Sequence, residues 1–290
     1  MNARAANRIF DTVNIVLLTL FLLLSLAPFL HIFAVSLSSN NPILSGKVTI
    51  FPVELNFEAY KRVFGDVTML KSLGFTVFLT VLSTLLCMAM TIAAAYPLTK
   101  AELKGRKLIM YMIVVTMFFS GGDIPLYILI KQMGLLNSMW SLILPPLVNP
   151  FYMIILITFF QSLPKSLEES AELDGCSQFG MLIRVILPLS LPILATLSLF
   201  YAVNRWNGFN DSLYYITNPD LYPLQLKLYQ LIVNSMASDN LQMEGNMIVQ
   251  ITPESLKAAN IMFATVPILI VYPWLQKYFV SGITVGAVKG

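Results

Sequence analysis

Few side chains in this 290-residue chain could do chemistry, and they fall in three places. The first is the segment from Pro164 to Cys176, where Glu168, Glu169, Glu172 and Asp174 crowd together ahead of Gly175. Ser166 and Glu169 have the Ser-x-x-Glu spacing of a capping box, in which each side chain satisfies an orphan amide at a helix start. Gly175 stands where a short helix would end, because glycine takes the left-handed turn without steric cost. Between them Leu167, Ser170, Ala171 and Asp174 recur at helical spacing and predict one face of mostly small residues, which another backbone could approach. One or two turns of helix are unstable alone, so neighbours or a partner must hold this element. The second place is Asp123, which follows Ser120-Gly-Gly within an apolar run. Such an acid reads either as a pathway residue at membrane depth or as a residue of the outer interface beside a kink. The third is Asn204-Arg-Trp-Asn207, whose Arg205 and Trp206 are of the types that anchor a helix at the membrane interface.

Several chemistries are excluded. No Gly-x4-Gly-Lys-Ser/Thr motif is present to cradle phosphates. His31 is the sole histidine, so a His-Glu-x-x-His zinc site cannot form, and His31 reads as a packing residue. No Gly-x-Ser-x-Gly elbow occurs, and charges inside apolar runs are too few for a proton relay. The chain is therefore expected to be no enzyme and to bind no metal or cofactor itself. Cys87 lies in an apolar run and Cys176 in a polar loop, which argues against a disulfide between them.

The elements that position these residues are membrane helices. The chain is 57% hydrophobic and 11% charged, against about 25% charged in soluble domains, so it belongs with all-α polytopic membrane proteins. A net charge of +3, dispersed along the chain, gives no basic patch for nucleic acid. Six apolar runs are legible: 13–35, 72–98, 108–130, 140–160, 186–201 and 256–279. The first is read as a retained helix, because it is longer than a signal-peptide core and lacks a clean small-x-small cleavage site. Tyr96-Pro97 ends the second run, Ser120 to Pro125 interrupts the third, and Pro145, Pro146 and Pro150 punctuate the fourth. Residues 36–70 read as an ordered segment outside the bilayer, and Ser238 to Glu254 as a polar, mobile insert. The short loop carrying Lys100, Lys104, Arg106 and Lys107 decides the orientation, since short basic loops stay in the cytoplasm. That places the Glu169 loop and both termini inside.

Glu169-Ser-Ala171, three residues, Gly175, nine residues and then Val185-Ile-Leu-Pro188 resembles the EAA loop of bacterial ABC importer permeases. That pattern reads E-A-A, three residues, G, nine residues, I-x-L-P; Ser170 and Val185 depart from it conservatively. Asp174-Gly175 and Phe179 fit the carbohydrate-type subclass, and "FFSGGDIPLYILIKQMGLLNS" and "DLYPLQLKLYQLI" resemble its YtcP/LplC-like branch, related to the maltose-type permeases. The resemblance implies a type I importer transmembrane domain over residues 69–277. It would be preceded by a helix and extracytoplasmic segment (1–68) and followed by a cytoplasmic tail (278–290). It implies that Glu169, Ser170, Ala171, Asp174 and Gly175 dock in a groove of an ATPase subunit. Trp206 and Asn207 match a Trp-Asn pair at the outer end of the family's fifth helix and, with Asp123, become candidates for the substrate pathway. An aromatic platform and amides are what a sugar ring and its hydroxyls require.

The implied partners are a second, homologous permease in a heterodimer, two ATPase subunits that bind ATP and Mg, and an extracytoplasmic solute-binding protein. The implied cargo is an oligosaccharide or polysaccharide fragment, and the implied place the bacterial cytoplasmic (inner) membrane. The competing reading is a stand-alone membrane-embedded enzyme or ion-coupled carrier that uses Asp123.

Overall fold

A computed structural model describes residues 3–242 and 252–287, and the greater part of the Ser238–Glu254 insert lies outside them. In chain order the helices begin with α1 (Ala3–Ser36), α2 (Asn40–Leu44), α3 (Glu58–Gly65) and α4 (Val67–Ala95). They continue with α5 (Arg106–Phe118), α6 (Asp123–Gln132), α7 (Trp140–Ile143), α8 (Pro150–Ser162) and α9 (Lys165–Leu173). The remainder are α10 (Gln178–Met181), α11 (Leu187–Leu189), α12 (Leu191–Trp206), α13 (Asn210–Tyr215), α14 (Leu224–Gln242) and α15 (Pro253–Ala287). Among the described residues the only β pairing is one isolated bridge, Ser38 with Leu55.

Three helical stretches are long and apolar enough to cross a bilayer: 10–36, 67–99 and 253–271. Two more spans arise if bent pairs each count as one: α5 with α6, bent by 114°, and residues 178–189 with α12, bent by 83°. The fourth expected run is not one helix. Pro146 has no N–H to give the Leu142 carbonyl four residues back, so α7 stops after one turn. The chain restarts only at Pro150, which suits a first helical position. Its N-cap Asn149 accepts the Tyr152 amide at 3.2 Å.

The chain divides into two compact units. The first comprises residues 1–70 and 228–267. α1 presents an almost wholly apolar, exposed surface, with Phe21 72% and Leu24 65% accessible, as a lipid-facing helix must. His31 serves packing: its Nδ1–H donates to the Thr49 carbonyl at 2.7 Å. Ser36 meets the Tyr60 hydroxyl at 2.8 Å, and Phe64 packs edge-on against Phe263 at 5.3 Å. The segment between α1 and α4 is thus ordered, as its composition suggests.

The second unit comprises residues 71–227 and 268–290. Its main core gathers Cys87, Tyr96, Leu156, Phe160, Met181, Ile186 and Leu197 from α4, α8 and the helices around α12. A smaller core joins Leu79, Ile130, Leu142, Ile143 and Tyr215. Cys87 and Cys176 are both free thiols. Between α10 and α11 the backbone adopts π geometry over Leu182–Ile186, which leads the chain into Pro188.

Candidate docking helix and polar cavity

Pro164, with φ −59°, fixes the entry to α9, and the helix is already under way at Lys165. The expected capping box is therefore not formed: Ser166 and Glu169 both lie inside the helix, and no side chain caps its start. The C-terminus follows expectation. Gly175 has φ +76°, its amide donates to the Glu172 carbonyl at 3.0 Å, and the Cys176 amide donates to the Ala171 carbonyl at 2.9 Å. These are the two bonds of a Schellman motif. A Cβ built on Gly175 meets nothing within 4 Å, so backbone conformation, not space, demands glycine here.

The expected small-residue face is only partly inward. Ala171 packs against the main core, whereas Ser170 and Asp174 are exposed. The inward polar contact belongs to Glu168, whose Oε2 accepts the Lys100 ammonium at 2.7 Å. Burial works against that ammonium, but the Glu168 carboxylate and Tyr96 outweigh it and raise the Lys100 pKa above its ordinary value. Lys100 also lies 5.0 Å from the Tyr96 ring centre. Tyr96 donates to Gln178 Oε1 at 3.1 Å, and Gln178 Nε2 donates to Glu172 Oε1 at 3.0 Å. A groove of about 1170 Å³ runs between α9 and the loop that follows α4, lined among others by Lys165, Glu169 and Phe179. Glu169 is exposed, and Leu173 and Phe179 leave 89% and 71% of their surface uncovered. A short helix that carries both free carboxylates and uncovered apolar side chains can serve as a surface for another protein.

The other site is a polar cavity of about 700 Å³. Its walls include Ser83 and Cys87 of α4, residues 145, 146 and 148–150, Tyr201 and Asn204 of α12, and the stretch from Asn207 to Asp211 that follows it. Tyr201 is fixed there by the Thr91 hydroxyl at 2.7 Å and the Asn149 amide at 3.1 Å. Asn204, Asn207 and Asn210 are exposed, and Asn207 spends one donor on the Val203 carbonyl at 3.0 Å.

Arg205 does not anchor at an interface. It is buried, and its Nη1 and Nη2 hold Asp211 at 2.6 and 3.1 Å, while Nη1 also donates to the Leu142 carbonyl at 2.8 Å. That carbonyl is the one Pro146 leaves orphaned. Gly208 makes room for the guanidinium, since a Cβ there would stand 2.8 Å from Cζ. Trp206 is half-buried and is not part of the cavity wall. Asp123 is exposed at the start of α6, apart from the cavity residues. Lys100, Gln178 and Asp211 were not legible as site residues, because their partners lie 68, 82 and 6 positions away and no spacing rule joins them.

Residues 72–285 match the family described as "Binding-protein-dependent transport system inner membrane component". The chain is 43% identical to Protein LplC of Bacillus subtilis (strain 168), covering all of this chain and 98% of LplC. It is 40% identical to YtcP of the same organism, named as a polygalacturonan/rhamnogalacturonan transport system permease, over 98% of this chain and 99% of YtcP. A solved chain from a bacterial ABC transporter involved in the import of the acidic polysaccharide alginate superposes with a TM-score of 0.86 at 33% identity. That match covers 94% of this chain and 98% of the other.

Proposed function

The chain belongs to the family of binding-protein-dependent transport system inner membrane components, and from that premise we propose that it is the permease subunit of an ATP-driven sugar importer. It is a transport subunit, not an enzyme, and it forms half of the translocation pathway. The observation that carries the reading is α9, with Glu169, Ser170, Ala171 and Asp174 leading to the left-handed Gly175 and the uncovered Leu173 and Phe179 beside them. A groove on an ATPase subunit would cover that surface. ATP and Mg would be bound there and not by this chain.

The full assembly would hold a second homologous permease, two ATPase subunits and an extracytoplasmic solute-binding protein, in the cytoplasmic (inner) membrane of a bacterium. Six spans would be α1, α4, α5–α6, α7–α8, residues 178–206 and α15, with both termini cytoplasmic. The N-terminal segment would be 1–68, the transporter domain 69–277 and the tail 278–290. The cargo would be an oligosaccharide or polysaccharide fragment, supported by the polysaccharides for which YtcP and the alginate transporter are named.

Asn207 would offer its amide to sugar hydroxyls inside the polar cavity, with Trp206 behind it and Asp123 elsewhere on the path. Replacing Asn207 with leucine is then expected to raise the sugar concentration for half-maximal uptake by about tenfold, the loss of roughly one hydrogen bond, and replacing Trp206 with alanine to raise it by less, since Trp206 lies outside the cavity wall. Unchanged uptake would take both residues off the path and return Trp206 to interface anchoring. The stand-alone carrier built on Asp123 is set aside, because family membership assigns the energy source to partners.

The test of the central reading is co-purification. The detergent-solubilised chain, drawn from its native membrane, should bring an ATPase with it. Glu169→Lys should reduce the recovered ATPase by about tenfold, as expected for a charge reversed within an interface. A chain that purifies alone in both forms would sink the proposal.

A further inference from the structure

The contacts of α9 carry an inference about how its movement is passed on. We propose that Lys100 and Tyr96 fasten the docking helix to the cytoplasmic end of α4, so that α4 travels with α9 as one body. The inference rests on the docking reading of α9. By covalent connection alone, α9 would move only α8, through Leu163 and Pro164, and α10, through Gly175 to Ser177. The loop after α4 lies 68 residues away in the chain, yet it holds α9 directly through Lys100 and, by way of Gln178, through Tyr96.

Glu168 and Glu172 stand one turn apart, on the same side of α9. Glu168 receives the Lys100 ammonium at 2.7 Å. Glu172 receives Gln178 Nε2 at 3.0 Å, and the other end of that amide receives the Tyr96 hydroxyl at 3.1 Å. Lys100 closes the circuit, since it also lies 5.0 Å from the Tyr96 ring centre. Tyr96 in turn is buried and meets Phe160, near the end of α8, edge-on at 6.4 Å. Neighbouring glutamates thus divide the work: Glu168 faces the chain's own helix end, and Glu169 faces outward.

A lone surface ion pair contributes little. Here the pair is part-buried, at 20% and 29% side-chain exposure, and belongs to a connected set of hydrogen bonds whose members reinforce one another. The circuit joins two rigid elements, so its effect is expected in their relative motion more than in stability.

The experiment uses the complete transporter, purified with its ATPase subunits and carrying Cys176→Ser. Spin labels are placed at Ala101→Cys, after α4, and at Ser166→Cys, an exposed position in the first turn of α9 outside the docking residues. The label separation should be the same without nucleotide and with ATP trapped by a hydrolysis-deficient ATPase. In Lys100→Glu it should broaden and shift by several ångströms when ATP binds, while the ATPase subunits still co-purify. Lys100→Glu combined with Glu168→Lys should restore the single, nucleotide-independent separation. Tyr96→Phe, which keeps the ring packing and removes the bond to Gln178, gives a milder loosening and covers the case in which the Lys100→Glu chain itself fails to fold.

A separation that changes with ATP in the parent protein would overturn the inference, and so would a variant series indistinguishable from it. Loss of the ATPase from Lys100→Glu would also overturn it, by making Lys100 a docking residue. Retention of the ATPase by Glu169→Lys would instead defeat the docking reading itself, so the two failures are told apart.

Discussion

Replacing Asp211 with alanine should destabilise the assembled transporter by about 2–4 kcal/mol, the cost of leaving a buried charge without its partner, lowered because Asp211 keeps some contact with solvent. Arg205 retains only 5% of its side-chain surface, against 31% for Asp211. It cannot escape to water, and it holds three structures together: the end of α12, the turn into α13 and the carbonyl of Leu142. With Asp211 gone, the guanidinium keeps one carbonyl acceptor, and its Nε already has no partner among the described residues. The measurement is the thermal midpoint of the solubilised complex.

The decisive comparison is the double variant Arg205→Met with Asp211→Ala, which removes both charges and keeps most of the volume. It should recover most of the loss, since an ion pair replaced whole by apolar groups is often close to neutral. A double variant as unstable as Asp211→Ala alone would show that packing around Gly208, not charge pairing, holds the turn.

Gly175→Val should separate ATP hydrolysis from sugar uptake. At φ +76° a side chain with a Cβ costs about 1–2 kcal/mol, and a β-branched one more. The helix end can relieve that strain only by giving up the Gly175 and Cys176 amide bonds to Glu172 and Ala171. Those bonds set the angle at which α9 leaves toward α10. The expected order of uptake per ATP hydrolysed is glycine first, then asparagine, alanine and valine, because asparagine tolerates the left-handed region best among the substitutes. The valine variant should fall by about tenfold, the effect of roughly 1.4 kcal/mol on a coupled equilibrium. Normal uptake in that variant would count against the docking role of α9. Since a Cβ on the glycine meets nothing within this chain, the loss would not come from a collision with the chain's own atoms.

What could be read from the sequence was whatever local chemistry decides. Gly175 announced its turn because no other residue enters that conformation freely. The interruption at Ser120 to Pro125 announced the break between α5 and α6. The family resemblance is upheld over residues 72–285. Where the sequence misled, a longer-range cause was at work. Ser166 has the right neighbour for a capping box, but Pro164 starts the helix early and leaves Ser166 inside it. The run from Trp140 to Phe160 is apolar enough to pass for one span, yet its prolines divide it into α7 and α8. Arg205 looked like an interface anchor because its acceptor at Leu142 is created by a missing proline N–H 59 residues earlier in the chain, at Pro146. Lys100 looked like one of several cytoplasmic charges until the fold brought Glu168 to it.

The π segment at Leu182–Ile186 has a consequence for the length of the chain. A π turn is an α-helix that has accepted one residue more than its register allows. The stretch between α9 and Pro188 therefore holds its spacing by a surplus, and not by an ordinary helical phase. Removing one residue there would let the backbone close into regular α geometry without breaking a helix. It would leave the helix on either side in nearly the same phase, because the five residues of the wider π turn rotate the chain about as far as four residues of α-helix. The nine residues between Gly175 and Val185 thus include one that could be lost within Leu182–Arg184 without changing the face that α9 offers outward.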